Sequence, residues 1–207
     1  MRRITTLLSL LALTLALTTA AFAQVSKGTT PANFKLNQLA GPPVSLSDYE
    51  DKVVLVAFWA TWCSPCKAEM PHLQKMYESY KDNGFVILGI NTDEARNQAK
   101  VRSEVKTRGL SYPILMDSET EVLSQLNPSM NLPFTVVIGK DGAVHSVHTG
   151  YTPGDEIELN TEIRDLLGLP AESASPDKNP CANPCANPCA NPCAGKNPCA
   201  GKNPCAK

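Results

Sequence analysis

Val53-Val54-Leu55-Val56-Ala57-Phe58-Trp59 is an unbroken apolar run, and after Ala60-Thr61-Trp62 it leads into Cys63-Ser64-Pro65-Cys66-Lys67. A run of this kind predicts a strand covered on both faces, and therefore a central one. Pro65 suits a first helical turn, where its missing N–H leaves no bond unmade, and Asn83-Gly84 supplies a stop. A helix is thus expected from Ser64 or Pro65 to Asn83, fed directly by a buried strand, with two cysteines in its opening turn.

Working outward, Phe85 to Ile90 reads as a second buried strand. Glu94 to Arg108, rich in charge and ended by Gly109, reads as a surface helix, and Glu119 to Leu126 as a short one. Thr135 to Ile138 and Ala143 to His148, joined by Gly139-Lys140-Asp141-Gly142, have the form of a hairpin with an Asp-Gly turn. Asp155 to Leu167 makes a closing amphipathic helix, and Phe34 to Leu39 with Pro43 to Leu46 a small extra hairpin upstream. The order β-α-β-α-β, hairpin, helix predicts an α/β sandwich, a central mixed sheet flanked by helices.

The two ends have a different character. Residues 1–23 run from Arg2-Arg3 through an apolar stretch, Leu7 to Leu17, to Ala21-Phe22-Ala23, with small residues where a signal peptidase reads. This predicts a secretory leader cut before Gln24. An uncleaved anchor needs about 20 apolar residues, and this stretch is shorter and broken by Ser9, Thr14, Thr18 and Thr19. No cysteine follows the cut, which speaks against a lipoprotein. The mature protein is expected in the periplasm or another extracytoplasmic space, where thiols oxidise unless something reduces them. The chain divides into a leader (1–23), one domain of ordinary size (24–170) and a tail (171–207). Its 19 basic and 20 acidic residues give a net charge of −1, without the basic excess of a nucleic-acid binder.

Of eight cysteines, six lie between positions 181 and 205. The domain therefore holds only Cys63 and Cys66, too close together to staple distant parts of a fold. Their location suits thiol-disulfide exchange. At a helix N-terminus, unpaired N–H groups and the positive end of the dipole stabilise a thiolate. That makes Cys63, expected to be the more exposed of the two, the nucleophile. Cys66, one turn on, would resolve the mixed disulfide and leave an internal Cys63–Cys66 bond. Half of a zinc site is the competing reading, but zinc usually takes four ligands, and the domain adds only His72, His145 and His148. His145 and His148, three apart on a strand, are expected on opposite faces, and all three histidines as ordinary surface residues. A peroxidase of the peroxiredoxin type would carry Thr-x-x-Cys, whereas Thr61 stands two before Cys63; a copper-assembly protein would space its cysteines by three residues.

Phe58-Trp59-Ala60-Thr61-Trp62-Cys63-Ser64-Pro65-Cys66-Lys67-Ala68-Glu69-Met70-Pro71 resembles the active-site signature of the TlpA/ResA-like thioredoxin-fold family, the extracytoplasmic thiol-disulfide oxidoreductases. Leu132-Pro133-Phe134-Thr135, Val136 to Ile138, Asp141-Gly142 and Thr149-Gly150 resemble its distal half, so the likeness runs over roughly residues 28–168. The resemblance implies a thioredoxin fold with an N-terminal β-hairpin extension, a redox-active Cys63–Cys66 pair and no cofactor. It also implies a reducing role toward thiol or disulfide proteins, such as apocytochrome c before haem attachment, with a membrane electron donor behind it. Glu69 matches the family's active-site glutamate, and lies three after Cys66 on the same helix face, placed to exchange a proton with that thiol. Pro133 matches the cis-proline that faces the dithiol; with Trp62, Pro65 and Leu132 it is implied to contact substrate. Pro71, which offers no N–H to the carbonyl of Lys67, is expected to kink the active-site helix. Two departures stand out. Ala57 occupies the place of the buried acid of cytoplasmic thioredoxins, which gives Glu69 more weight, and Phe134 is expected to alter the substrate groove.

From Asn179 the tail repeats Asn-Pro-Cys-Ala, with Cys181, Cys185, Cys189, Cys193, Cys199 and Cys205. Proline every four to six residues excludes a continuous helix, and with no bulky apolar residue after Leu169 the tail is expected to be disordered. Six regular thiols suit Cu(I) or Zn(II), or a thiol reservoir, or carry no selected chemistry at all. The alternative function is accordingly a metal-handling protein whose domain keeps the tail reduced.

Overall fold

The computed structural model describes residues 25–170; the expected leader, and the tail with its expected disorder and cysteines, lie outside the described residues. In chain order the elements are β1 (Lys35–Gln38), β2 (Val44–Ser45), β3 (Val53–Trp59), α1 (Ser64–Tyr80), β4 (Phe85–Asn91), α2 (Gln98–Thr107), β5 (Ile114–Met116), α3 (Glu121–Leu126), β6 (Phe134–Ile138), β7 (Val144–Thr149) and α4 (Asp155–Leu167). They build one mixed sheet in the order β2-β1-β5-β4-β3-β6-β7. Strands β3, β4 and β5 run parallel, and β6 joins β3 antiparallel. All seven residues of β3 are buried, as a strand covered on both faces must be.

Alternation along β3 sorts its side chains to two cores. Leu55, Ala57 and Trp59 pack with Cys66, Met70 and Leu73 of α1 and with Leu159 and Ile163 of α4. Val54, Val56 and Phe58 pack on the other side with Val122, Leu123 and Leu126 of α3. This is the thioredoxin fold that the sequence led us to expect. The upstream hairpin is shorter than read, and it extends the sheet through antiparallel pairing of β1 with β5. Strand β5 had no bounds in the sequence reading, because three residues are too few to show a period. No described helix is long and apolar enough to cross a membrane.

Helix α1 buries Cys66, Glu69, Met70, Leu73, Gln74, Met76 and Tyr80, a stripe at helical spacing. It gives way to a 3-10 turn, Lys81–Asn83, and to Gly84 with φ of +86°. The helix continues through Pro71 as one element. The carbonyl of Lys67, which proline at 71 cannot serve, accepts a hydrogen bond from Nη1 of Arg108 at 3.0 Å. Arg108 is itself steadied by Glu104, whose Oε2 accepts from its Nε at 2.9 Å. Replacing Arg108 by Met should therefore cost about 1–2 kcal/mol in urea unfolding. The loss should shrink in a Pro71→Ala background, where a restored N–H serves the same carbonyl. Equal losses in both backgrounds would show that this bond is not what Arg108 contributes.

Candidate active site

The last residue of β3 and the first of α1 are separated by four residues, and Cys63 is the N-cap, with φ −82° and ψ 101°. Its Sγ accepts the backbone N–H of Cys66 at 3.2 Å, which satisfies one of the donors a helix start leaves open. The two sulfurs form a disulfide with a Cα–Cα distance of 5.4 Å. Cys63 is 4% exposed and Cys66 1%, so the expected difference in exposure is slight. What distinguishes Cys63 is its position at the positive end of the helix, with an N–H directed at its sulfur. Trp62 is 66% exposed beside it, and Pro65 is exposed on the first turn.

The loop that carries Cys63 is held by a residue the sequence reading missed. Asp93, buried just beyond β4, accepts the backbone N–H of Thr61 at 2.7 Å through Oδ2 and the Thr61 hydroxyl at 2.7 Å through Oδ1. Nδ2 of Asn91 donates to the same carboxylate at 2.9 Å. The available signal was Asn91-Thr92-Asp93, polar residues following an apolar strand at the carboxyl end of a parallel sheet, where sites form.

Glu69 is buried, so it is not a surface helix charge. It packs over one row of the sheet. Gly89, Ala57, Thr135 and His148 are paired neighbours across β4, β3, β6 and β7, and paired residues share a face. The first two are small. A Cβ on Gly89 would lie 2.8 Å from Cε2 of Tyr112, so the missing side chain admits that ring. The Thr135 side chain is close enough to the Glu69 carboxyl to favour its charged form. Burial pushes the Glu69 carboxyl up to about 7; the charge of His148 and the Thr135 side chain pull it down, and Asp155 adds to the rise. Burial likewise pushes the Tyr112 hydroxyl up, with the Glu69 charge in the same direction and Arg108 opposing.

The Leu132–Pro133 peptide bond is cis. Pro133 is buried, its carbonyl accepts from Gly150 N at 2.8 Å, and Leu132 is half-buried against both cores. Two expectations need correction. Phe134 is buried and packs on Phe58, ring centroids 6.0 Å apart, in the core on the face away from the cysteines; strand alternation turns it out of the groove. His145 and His148 do not fall on opposite faces and are not ordinary surface residues. Val137 pairs with Ser146 but Ile138 with Val144, so His145 is an extra residue in β7, and such a bulge breaks alternation. Both imidazoles reach one carboxylate, His145 Nε2 at 3.4 Å and His148 Nε2 at 3.1 Å from Glu162. Among the described residues, no group of three or more His, Cys, Asp or Glu is arranged to hold a metal ion.

Residues 28–147 match the AhpC/TSA family. Thiol-disulfide oxidoreductase ResA of Geobacillus kaustophilus is 38% identical over 138 residues, 67% of this chain and 78% of that protein. ResA of Bacillus subtilis is 35% identical over 126 residues, 61% and 69% of the two chains. Among solved structures, a thiol:disulfide interchange protein of the thioredoxin family from Chlorobium tepidum superposes with a TM-score of 0.59 at 26% identity, over 69% of this chain and 99% of that one.

The Glu69 carboxyl gives a measurable pH dependence. Unfolded it titrates near 4.5 and folded near 7, so between those values the folded state holds the extra proton. Stability then falls as pH rises through that window and stays lower above it, by roughly 3 kcal/mol in all. Glu69→Gln should abolish this fall, making the variant the more stable protein at pH 8 by up to that amount. Urea unfolding across the range tests it, and a difference between the two proteins that does not vary with pH would contradict the assignment.

Proposed function

The chain belongs to the AhpC/TSA family of thioredoxin-fold proteins and is a thiol-disulfide oxidoreductase, and on that premise we propose that it acts outside the cytoplasm as a reductant of disulfides in partner proteins. The observation that carries this reading is the sulfur of Cys63 capping α1 and receiving the N–H of Cys66 at 3.2 Å. In the reduced protein the same N–H and the helix dipole favour a Cys63 thiolate at neutral pH. That thiolate attacks one sulfur of the partner's disulfide; a Cys63–partner bond forms, and the partner's other sulfur leaves as thiolate. Cys66 gives its proton to Glu69, and its thiolate attacks Cys63 Sγ. The internal disulfide forms, the second partner sulfur leaves, and two electrons have passed to the partner. A membrane electron donor then returns two electrons to the pair.

Trp62 and Pro65, both exposed, and Leu132 and Pro133 beside the end of β6 make up the proposed contact surface for an extended substrate segment. A partner with a solvent-reachable disulfide suits it, and apocytochrome c, oxidised before haem attachment, is the specific candidate. In the proposed organisation the leader (1–23) directs export, residues 24–170 do the chemistry and residues 171–207 form a separate cysteine-bearing tail.

Cys63→Ser should abolish reduction of a protein disulfide such as insulin's. Cys66→Ser should instead accumulate a mixed disulfide that peptide mapping places on Cys63. Trapping through Cys66 in the Cys63→Ser protein, with none through Cys63 in the other, would reverse the two roles.

A further inference from the structure

Glu69 opens onto a cleft of about 320 Å³ between β7 and the start of α4, with His148, Tyr151, Asp155 and Glu158 among its walls. Carboxylates dominate this cleft. Burial and Asp155 both favour the protonated form of Glu69, and Glu156, whose Oε2 accepts from the Tyr151 hydroxyl at 2.8 Å, adds another negative group. His72 lies 3.8 Å from that same Glu156 and is committed there. These influences all hold the proton on Glu69 and make it a poorer acceptor for the proton of Cys66.

His148 opposes them by its place in the sheet. It is paired with Thr135 across β6 and β7, and the Cβ atoms of such a pair stand about 4.5–5.5 Å apart on one face. Thr135 stands beside the Glu69 carboxyl, and His148, its partner on the next strand, lines the same cleft as Glu69. Its ring is fixed from the other side, Nε2 lying 3.1 Å from Oε2 of Glu162 and 3.0 Å from the Ser146 hydroxyl. The bond to Glu162 raises the pKa of His148, burial opposes it, and the charges of Glu162, Glu158 and Glu69 raise it further. Tyr112, the remaining titratable neighbour of Glu69, is neutral across the working range, since burial holds its proton in place.

We propose that His148, braced by Glu162 and Ser146, is a positioning residue for the resolving step: its imidazolium faces Glu69 through the shared cleft and keeps that carboxyl able to accept the Cys66 proton near neutral pH. This rests on the reading of Cys66 as the resolving thiol. The proton balance is simple. Cys66 S–H and Glu69 carboxylate become Cys66 thiolate and Glu69 carboxylic acid, the thiolate displaces the partner sulfur from Cys63, and the acid releases its proton to water in the cleft.

The test uses the full chain with the six tail cysteines replaced by serine, reduced, and mixed with the aromatic disulfide 5,5′-dithiobis(2-nitrobenzoate). Attack by Cys63 releases one coloured thiolate and leaves the other in a mixed disulfide; attack by Cys66 releases the second. In the parent the rate of the second release should rise through an inflection set by Glu69. In His148→Gln that inflection should move up by roughly half a unit to one unit, with the first release unchanged, while His148→Lys, which keeps a cation, should show no upward shift. An unmoved inflection in His148→Gln overturns the proposal, as does an equal slowing of both phases at every pH. Absence of any second release in the parent would instead sink the dithiol reading itself, and this inference with it. The reciprocal effect is read without altering His148: its ring titration, followed by NMR, should shift to lower pH in Glu69→Gln, and an unchanged midpoint also overturns the proposal.

Discussion

Because α1 starts on Cys63, the N–H of Cys66 meets a sulfur at 3.2 Å where most helices offer it the oxygen of a Ser, Thr, Asp or Asn. Nearly every other feature of the molecule serves to put that sulfur there. The doubly buried strand β3 fixes the point from which the chain must turn, and Asp93 fixes the turn by bonding both polar groups of Thr61. Once started, α1 is committed to the core by its apolar stripe, and Arg108 repairs the carbonyl that Pro71 leaves unserved. The same cap that starts α1 is thus the sulfur that the proposed chemistry uses.

The second constraint is a carboxyl group under the same helix. Burying an unpaired carboxylate costs several kcal/mol, and Glu69 meets that cost by titrating near 7. The sheet makes room for it by omission. Ala57 brings only a methyl group to that face of β3, where an acid on the strand would add a second buried carboxylate. In the proposed mechanism proton handling thus sits on the helix that carries the dithiol, one turn beyond Cys66, and not on the sheet behind it.

Period and punctuation made much of this legible in the sequence. The apolar run of β3, the turn signal at Asp141-Gly142 and the amphipathic stretch Asp155–Leu167 each announce their element, and the first two cysteines announce their chemistry by standing where strand passes to helix. The rest depended on partners far away in the chain. Asp93 acts on Thr61 across 32 positions and Arg108 on Lys67 across 41; polar residues after an apolar strand mark Asp93 but not its partner, and Arg108 has no local mark at all. The bulge at His145 adds one residue with no compositional mark, yet it alone brings two imidazoles to one carboxylate. The motif around Pro133 suggests that Phe134 alters the groove, but the alternation of β6 sends its ring to the opposite core.

The proposed resolving step depends most directly on the protonation of one side chain, Glu69. Glu69 can be labelled with carbon-13 at its carboxyl and its chemical shift followed against pH in the reduced protein. A midpoint near 7 is the result this arrangement requires; a midpoint near 4.5, the value of a glutamate in water, would mean that the buried carboxyl is not the group that takes the Cys66 proton.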